Sequence, residues 1–148
     1  MKIFLLQGAN MAYLGKRQPE IYGTTTAAEL DAMLQTRAAA AGYELEIFYT
    51  HIEGEAIGRI YAAVDAGCDA LLVNPAGFLH AGYALRDCLK GLHLPIIEVH
   101  MSNVEKRGLH SVTAEAATGM VAGFGLRSYT IGLDLAAELA MDAKRAAS

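Results

Sequence analysis

Apolar runs that end abruptly in polar residues recur along this chain. Residues 3–10 read IFLLQGAN, residues 70–80 read ALLVNPAGFLH, and residues 94–103 read LPIIEVHMSN. Strands that are buried on both faces of a parallel sheet show such continuous apolar runs. In an open α/β sheet, ligands bind beyond the carboxyl ends of the strands. We therefore expect these strand ends to form one polar rim that supplies Gln7, Asn10, Asn74, His80, Glu98, His100 and Ser102.

Helical patterns alternate with the apolar runs. Thr26 and Glu29 have the spacing of a capping box, and Gly42 is placed to end the helix that this box begins. Apolar positions recur at helical spacing in several other segments. Helices are predicted over residues 53–66, 81–92 and 126–147, and strands over residues 2–7, 44–49, 69–74, 94–99 and 119–124.

Strands that alternate with helices in this way indicate an α/β protein with a parallel sheet. Because crossover connections are right-handed, the simplest arrangement is a doubly wound, three-layer flavodoxin-like fold. Its five-stranded sheet has the order 2-1-3-4-5, with helices on both faces. The chain of 148 residues shows no linker or repeat, so we interpret residues 1–148 as a single domain.

Composition narrows the classes of partner. Hydrophobic residues make up 53% of the chain, which fits a sheet covered on both faces or a subunit of a homo-oligomer. The net charge is −4 and the basic residues are scattered, so no nucleic-acid partner is expected. Because no secretory signal or membrane-length apolar stretch is present, we expect a cytoplasmic protein with no membrane partner.

The metal-binding residue types do not cluster in the sequence. The two cysteines, Cys68 and Cys88, form no CxxC motif. The five histidines show neither HxxxH nor HExxH spacing. We therefore expect no metal site.

A long connection, residues 8–23, follows the first strand, and connections of this length are often lids. A lid is expected at about residues 14–25, where Arg17 and Tyr22 lie. A phenol titrates near 10 in water, and a nearby guanidinium favours its ionised form. Tyr22 assisted by Arg17 is therefore a candidate general base. The other tyrosines within predicted elements are interpreted as packing residues: Tyr43, Tyr49, Tyr61, Tyr83 and Tyr129.

The same loop resembles the opening signature of the type II 3-dehydroquinate dehydratases, GxNxxxLGxRxPxxYG. The matching residues are Gly8, Asn10, Leu14, Gly15, Arg17, Pro19, Tyr22 and Gly23. Further matches are Glu53-Gly54-Glu55, Asn74 through His80, Ala84-Leu85-Arg86-Asp87, Glu98-Val99-His100 with Ser102-Asn103, and Gly123-Phe124-Gly125. The resemblance therefore covers nearly the whole chain, in order.

This resemblance implies a lyase that removes water from 3-dehydroquinate by anti elimination through an enolate, without a cofactor, a metal or a Schiff base. Tyr22 would abstract the C2 proton, with Arg17 keeping it ionised. Asn10, with a water, would stabilise the enolate oxygen. His100 would protonate the departing hydroxyl. The product, 3-dehydroshikimate, belongs to aromatic amino acid biosynthesis or to quinate catabolism, and the sequence leaves that choice open.

The resemblance also implies a set of binding residues and an assembly. Asp87 would reach the site of a neighbouring subunit in a dodecamer built from trimers. Glu98, on the same strand face as His100, would orient the imidazole. The substrate hydroxyls and carboxylate would be held by Asn74, His80, Ser102 and the backbone of Met101.

The chain departs from the family pattern at several places. Gln7 and Ala9 replace an asparagine and a proline of the usual Asn-Gly-Pro-Asn opening, and His51 replaces the asparagine of a Ser-Asn-His triplet. The loop over residues 105–111 is shorter than usual, and Leu109 stands nearest to a substrate-gripping arginine. Arg107 or Lys106 is a candidate replacement, although an ammonium is not equivalent to a guanidinium at such a site.

Other interpretations follow from the same residues. A diverged paralogue could dehydrate a different cyclic polyhydroxy or β-hydroxy ketone. A flavodoxin-like module for FMN or a nucleotide is disfavoured, because the first loop lacks a phosphate cradle. A catalytically silent oligomeric protein is a further alternative. Locally, Asn74 before Pro75 could be a turn former, and Glu98 could be a structural acid paired with Arg86.

Overall fold

The computed structural model describes residues 1–148, which form a five-stranded sheet and five α-helices. The strands are β1 (Lys2–Ala9), β2 (Glu44–Tyr49), β3 (Ala70–Ala76), β4 (Ile96–His100) and β5 (Gly119–Ala122). The helices are α1 (Pro19–Tyr22), α2 (Ala27–Ala41), α3 (Glu53–Asp65), α4 (Tyr83–Lys90) and α5 (Leu126–Ala147). Short 3₁₀ turns lie at Met11–Tyr13, Gly77–Leu79 and Thr113–Ala116.

The sheet has the order β2-β1-β3-β4-β5, and every neighbouring pair is parallel. This confirms the predicted flavodoxin-like arrangement. Because all five strands run the same way, their carboxyl ends share one edge of the sheet. The polar residues that follow β1, β3 and β4 are thereby brought together.

Each face of the sheet is covered by two helices. On one face, Leu34 of α2 and Leu133 of α5 lie in a buried apolar cluster. On the other face, Ile60 of α3 and Leu85 of α4 lie in a second cluster. Burying an aliphatic side chain of this size contributes about 1.5–3 kcal/mol. The predicted layers of helices on both faces are confirmed.

The predicted capping residues of α2 are in place. The backbone N–H of Glu29 donates to Thr26 Oγ1 at 3.1 Å, and the Thr26 hydroxyl donates to Glu29 Oε1 at 3.1 Å. Gly42 has a φ of 83°, and its N–H donates to the carbonyl of Ala38 at 2.9 Å. A left-handed glycine at this place satisfies carbonyls that the helix leaves free.

Several predicted boundaries are shifted. β1 and β3 each extend two residues beyond their predicted ends, to Ala9 and Ala76. α4 begins at Tyr83 and ends at Lys90, so it starts two residues later and ends two residues earlier than predicted. The connection after β1 contains a 3₁₀ turn and helix α1, so it is more ordered in backbone than the loop that the sequence predicts. None of the helices is long and apolar enough to cross a membrane.

Candidate active site

A cavity of about 210 Å³ opens at the carboxyl edge of the sheet. Its wall is half hydrophobic, which is usual for a small-molecule site with a few convergent polar groups. The hydrophobic part includes Met11, Leu14, Leu79, Met101, Val104 and Leu109. The polar part includes Asn10, Arg17, Tyr22, Asn74, His80, His100, Ser102 and Arg107.

The imidazole of His100 is hydrogen-bonded to a buried carboxylate, that of Glu98. Its Nε2 lies 2.7 Å from Glu98 Oε2, and the two side chains are 5% and 1% exposed. Thr113 donates its hydroxyl proton to the other oxygen of the same carboxylate. Because Glu98 occupies Nε2, Nδ1 is the ring nitrogen left free to face a ligand. The alternative pairing of Glu98 with Arg86 is wrong, since Arg86 pairs with Glu115 at 2.8 Å.

Tyr22 reaches the cavity from the end of α1. Its hydroxyl accepts a hydrogen bond of 3.0 Å from Nη1 of Arg107. The same nitrogen donates to Ser102 Oγ at 2.9 Å, and the guanidinium lies 5.6 Å from the centre of the Tyr22 ring. Arg107 therefore joins the segment after β1 to the segment after β4.

The guanidinium bonded to Tyr22 belongs to Arg107, whereas the sequence predicts Arg17 as the partner of Tyr22. Arg17 lines the cavity but makes no hydrogen bond with Tyr22, so the expected pairing of these two residues is absent from the structure. Arg107 had been considered only as a substitute for a substrate-gripping arginine. Its contact joins residues 85 positions apart, and no local pattern in the sequence predicts it.

Asn74 lines the cavity and is also bonded to the protein interior. Its Nδ2 donates to the hydroxyl of Tyr129 at 2.6 Å, and that hydroxyl donates to Oε1 of Gln7 at 2.7 Å. The Asn74 Oδ1 accepts the N–H of Ala76 at 2.9 Å. This last bond is the turn-forming contact that the sequence left as an alternative role for Asn74.

Gln7 does not belong to the polar rim, so this part of the sequence prediction is wrong. Its side chain is fully buried, because Gln7 is still inside β1 and points between the sheet and α5. Its bonding partner, Tyr129, was interpreted only as a packing residue, and the sequence carries no signal of its polar contacts. Tyr129 does pack in the core, but Tyr61 and Tyr83 are 48% and 54% exposed, so the packing interpretation is wrong for these two residues.

Asn10 follows β1 in a left-handed conformation, with a φ of 81°, which asparagine adopts more readily than most residues. Its backbone N–H donates to Nδ1 of His51 at 2.9 Å. A ring nitrogen that accepts a hydrogen bond carries no proton, so this contact requires a neutral imidazole. In the sequence His51 is recognisable only as a departure from the family pattern, and its contact with Asn10 is not predicted.

The remaining predicted site residues are placed differently from one another. His80 lies exposed on the cavity wall, and the carbonyl of Met101 accepts the N–H of Gly125 at 2.9 Å. Asp87 is exposed on α4 and does not line the cavity of its own chain.

These features define a flavodoxin-like α/β protein whose cavity holds a phenol, an imidazole backed by a carboxylate, and guanidinium groups. A sequence model described as "Dehydroquinase class II" matches residues 1–137. The chain belongs to this family. It is 44% identical over 141 residues to a protein of Syntrophotalea carbinolica named 3-dehydroquinate dehydratase, with 93% of this chain and 95% of the relative covered.

Solved structures show the same relationship. A type II dehydroquinase from Butyrivibrio crossotus superposes with a TM-score of 0.87 and is 35% identical, over 92% of this chain and 97% of the other. A type II dehydroquinase from Propionibacterium acnes has a TM-score of 0.86 and 38% identity, over 92% and 96% of the two chains. The identification as a type II dehydroquinase is thus confirmed by sequence and by fold.

Proposed function

We propose that this protein is a hydro-lyase that converts 3-dehydroquinate into 3-dehydroshikimate by anti elimination of water. The main support is that Tyr22 and His100 line one cavity, although they lie 78 positions apart in the sequence. An ionised tyrosine can accept a proton, and a protonated histidine can donate one. Family membership and the names of the relatives support the same reaction.

The elimination uses two proton transfers. The ionised hydroxyl of Tyr22 removes the C2 proton, and the electron pair of the C–H bond moves into an enolate. Asn10, with a water, stabilises the enolate oxygen where charge develops. The enolate then expels the C1 hydroxyl, which leaves as water after taking a proton from Nδ1 of His100. Arg107 donates a hydrogen bond to the hydroxyl oxygen of Tyr22, and Arg17 lines the same cavity.

The remaining polar wall binds the substrate. Asn74, His80, Ser102 and the backbone of Met101 hold the hydroxyl groups and the carboxylate. Arg107 is within reach of the same region through its bond to Ser102. Glu98 orients the imidazole of His100 and does not touch substrate. Residues 14–25 act as a lid that closes over the bound molecule.

We further propose that the chain works as one domain in a cytoplasmic homo-oligomer. Asp87 is exposed on α4 and lies outside the cavity of its own chain. In a dodecamer built from trimers, Asp87 would reach the active site of a neighbouring subunit. Large hydrophobic side chains such as Phe124, Tyr83 and Ile52, each more than half exposed, are suited to burial in such an assembly.

The test follows the ultraviolet absorbance of the conjugated enone after the protein is mixed with 3-dehydroquinate. Wild-type protein turns over, and Tyr22→Phe lowers kcat by about 1,000-fold, because the phenylalanine has no group to remove the proton. Tyr13→Phe is the matched control, since Tyr13 lies in the same connection, is 61% exposed and does not line the cavity. Absence of turnover in the wild type, or full activity in Tyr22→Phe, contradicts the proposal.

A further inference from the structure

A row of polar side chains crosses the sheet beside the cavity. Tyr49 of β2 pairs in register with Gln7 of β1, and Gln7 pairs in register with Asn74 of β3. Residues in register on neighbouring strands point to the same face of a sheet. The hydroxyl of Tyr129, from α5, covers this row and bonds to both Gln7 and Asn74.

The hydrogen bonds of this row have a fixed direction. The backbone N–H of Ala76 can only donate, so the atom of Asn74 that faces it must be the oxygen. Nδ2 of Asn74 is then turned toward the hydroxyl of Tyr129, 2.6 Å away. Because Tyr129 accepts at that bond, its single proton goes to Gln7 Oε1, 2.7 Å away. Reversing the Asn74 amide would turn its NH₂ group toward the N–H of Ala76, and reversing the Gln7 amide would leave the Tyr129 proton without an acceptor.

Gln7 supplies the acceptor for the last hydrogen bond of this row. It is 0% exposed, and its Oε1 is the acceptor that Tyr129 uses. Its Nε2 is buried and has no partner at hydrogen-bonding geometry. The Tyr49 hydroxyl is already directed outward, since it donates to Asp31 of α2 at 2.7 Å.

Both phenols of the row remain hydrogen-bond donors. Burial raises the pKa of Tyr129 above the ordinary value of a phenol. Burial, and after it the Asp31 carboxylate, raise the pKa of Tyr49. Each hydroxyl therefore keeps its proton at neutral pH, and the direction of the bonds does not change with ordinary changes of pH.

The Asn74 amide has little freedom left to serve a ligand. Of its two Nδ2 protons, one goes to Tyr129 and the other points to Met11 Sδ at 3.4 Å. Its Oδ1 accepts from Ala76, but a carbonyl oxygen has a second lone pair. Asn74 can therefore offer the cavity an acceptor and no free donor.

We propose that Gln7 is a positioning residue for Asn74. Through Tyr129 it holds the Asn74 amide so that its oxygen keeps a lone pair that can accept a hydrogen bond from a donor group of the substrate. This inference rests on the proposed function, because it concerns how the proposed substrate is held.

Asn74 also has a structural reason to be held firmly. Ala76 has a φ of 47° and a ψ of −124°, a conformation that non-glycine residues rarely adopt. The bond from its N–H to Asn74 Oδ1 helps to maintain this conformation, which turns the chain from β3 into the cavity wall. Loss of the Asn74 orientation is therefore expected to disturb the site locally.

The kinetic test compares Gln7→Met with Tyr43→Phe. Methionine keeps the length of the glutamine side chain and removes both ends of its amide, so Tyr129 loses its acceptor. We expect KM for 3-dehydroquinate to rise about tenfold, as for the loss of one substrate hydrogen bond, with kcat changed less than about threefold. Tyr43→Phe is the control, because Tyr43 is another buried tyrosine whose hydroxyl has no partner, and it should leave KM unchanged.

A spectroscopic test needs no turnover. In ¹H–¹⁵N spectra of the folded protein, the Asn74 side-chain amide, identified by its disappearance in Asn74→Asp, should exchange slowly with solvent because its protons are buried and bonded. In Gln7→Met the two signals should shift and exchange at least about tenfold faster. Tyr129→Phe should reproduce both the kinetic and the spectroscopic change, and it replaces Gln7→Met if that variant fails to fold.

The outcomes separate this inference from the proposed function. Wild-type KM together with unchanged Asn74 signals in Gln7→Met and in Tyr129→Phe would overturn the positioning role. If the wild-type protein fails to dehydrate 3-dehydroquinate, the proposed function is wrong, while the amide signals still decide whether Gln7 orients Asn74.

Discussion

The two halves of the cavity are built in different ways. On one half, His100 and Asn74 are 5% and 4% exposed, and each is held by partners that are themselves buried. On the other half, Tyr22 is partly exposed, and its partner Arg107 is exposed on a loop. Asn10 is likewise exposed and is anchored by an exposed histidine.

The difference follows from where each half lies in the fold. The enclosed half sits on β3 and β4, in the middle of the sheet, where unbonded polar groups would be costly and are therefore bonded. The open half belongs to the connections after β1 and after β4, where exposed hydrogen bonds contribute less because water competes for them. The proton donor of the proposed reaction is thus enclosed, and the proposed proton acceptor lies on the more exposed side of the cavity.

Among the residues that support the proposed acid and base, the largest effect is expected in the enclosed half, from Glu98→Gln. A glutamine lacks the charge that holds the imidazole of His100, and its amide can present a donor where an acceptor is needed. We expect kcat to fall by about 100-fold, within the range that acid–base catalysis contributes. Glu115→Gln, at an exposed carboxylate that pairs with Arg86, is the control and should keep wild-type kcat. A Glu98→Gln enzyme with wild-type kcat would show that enclosure of His100 has no catalytic role.

In the open half, Arg107→Ala should have the next largest effect. It removes a charged hydrogen bond to Tyr22 and another to Ser102, so we expect kcat/KM to fall by about 10- to 100-fold. Steady-state kinetics and a thermal melt should show loss of activity with an unchanged fold. Lys106→Ala, at the preceding residue and outside the cavity, should be close to wild type. Equal activity of the two variants would mean that the bond to Tyr22 is not used in catalysis.

The smallest effect is expected from the anchor of Asn10. His51→Ala leaves the Asn10 N–H to water, which should lower kcat about threefold to tenfold. His51→Asn should restore most of the activity, because the asparagine Oδ1 can take the place of the imidazole Nδ1 as an acceptor. His51→Gln extends its amide beyond that point and should not restore activity. Identical kcat values for the alanine and asparagine variants would contradict an anchoring role.

Local patterns were sufficient for most of the fold. The capping residues Thr26 and Gly42 and the apolar run of β4 depend on neighbours in sequence, and they were predicted from the sequence alone. The ends of β1 and β3 were predicted too early, because Gly8 and Pro75 suggest turns. In the structure the lack of a Cβ on Gly8 instead allows β1 to approach β3, because a Cβ there would lie 2.1 Å from the carbonyl oxygen of Pro75.

In the candidate site, the residues that line the cavity were mostly predicted, but their hydrogen-bond partners were not. The polar residues at strand ends were predicted because a parallel sheet brings all such ends to one edge. The partners of those residues were not predicted: Arg107 beside Tyr22, His51 beside Asn10, and Tyr129 beside Asn74. Each of these pairs joins segments that are distant in sequence, and their contact depends on the path of a loop or the docking of a helix.

Patterns in the sequence are enough to predict the order of strands and helices along the chain, the family, and the residue types at one edge of the sheet, because hydrophobic periodicity and short motifs depend on neighbours in sequence. The contact of Arg107 with Tyr22 and the inward position of Gln7 against Tyr129 become visible only in the folded protein. A side chain finds its hydrogen-bond partner through packing in three dimensions, and residue spacing along the chain does not encode that packing.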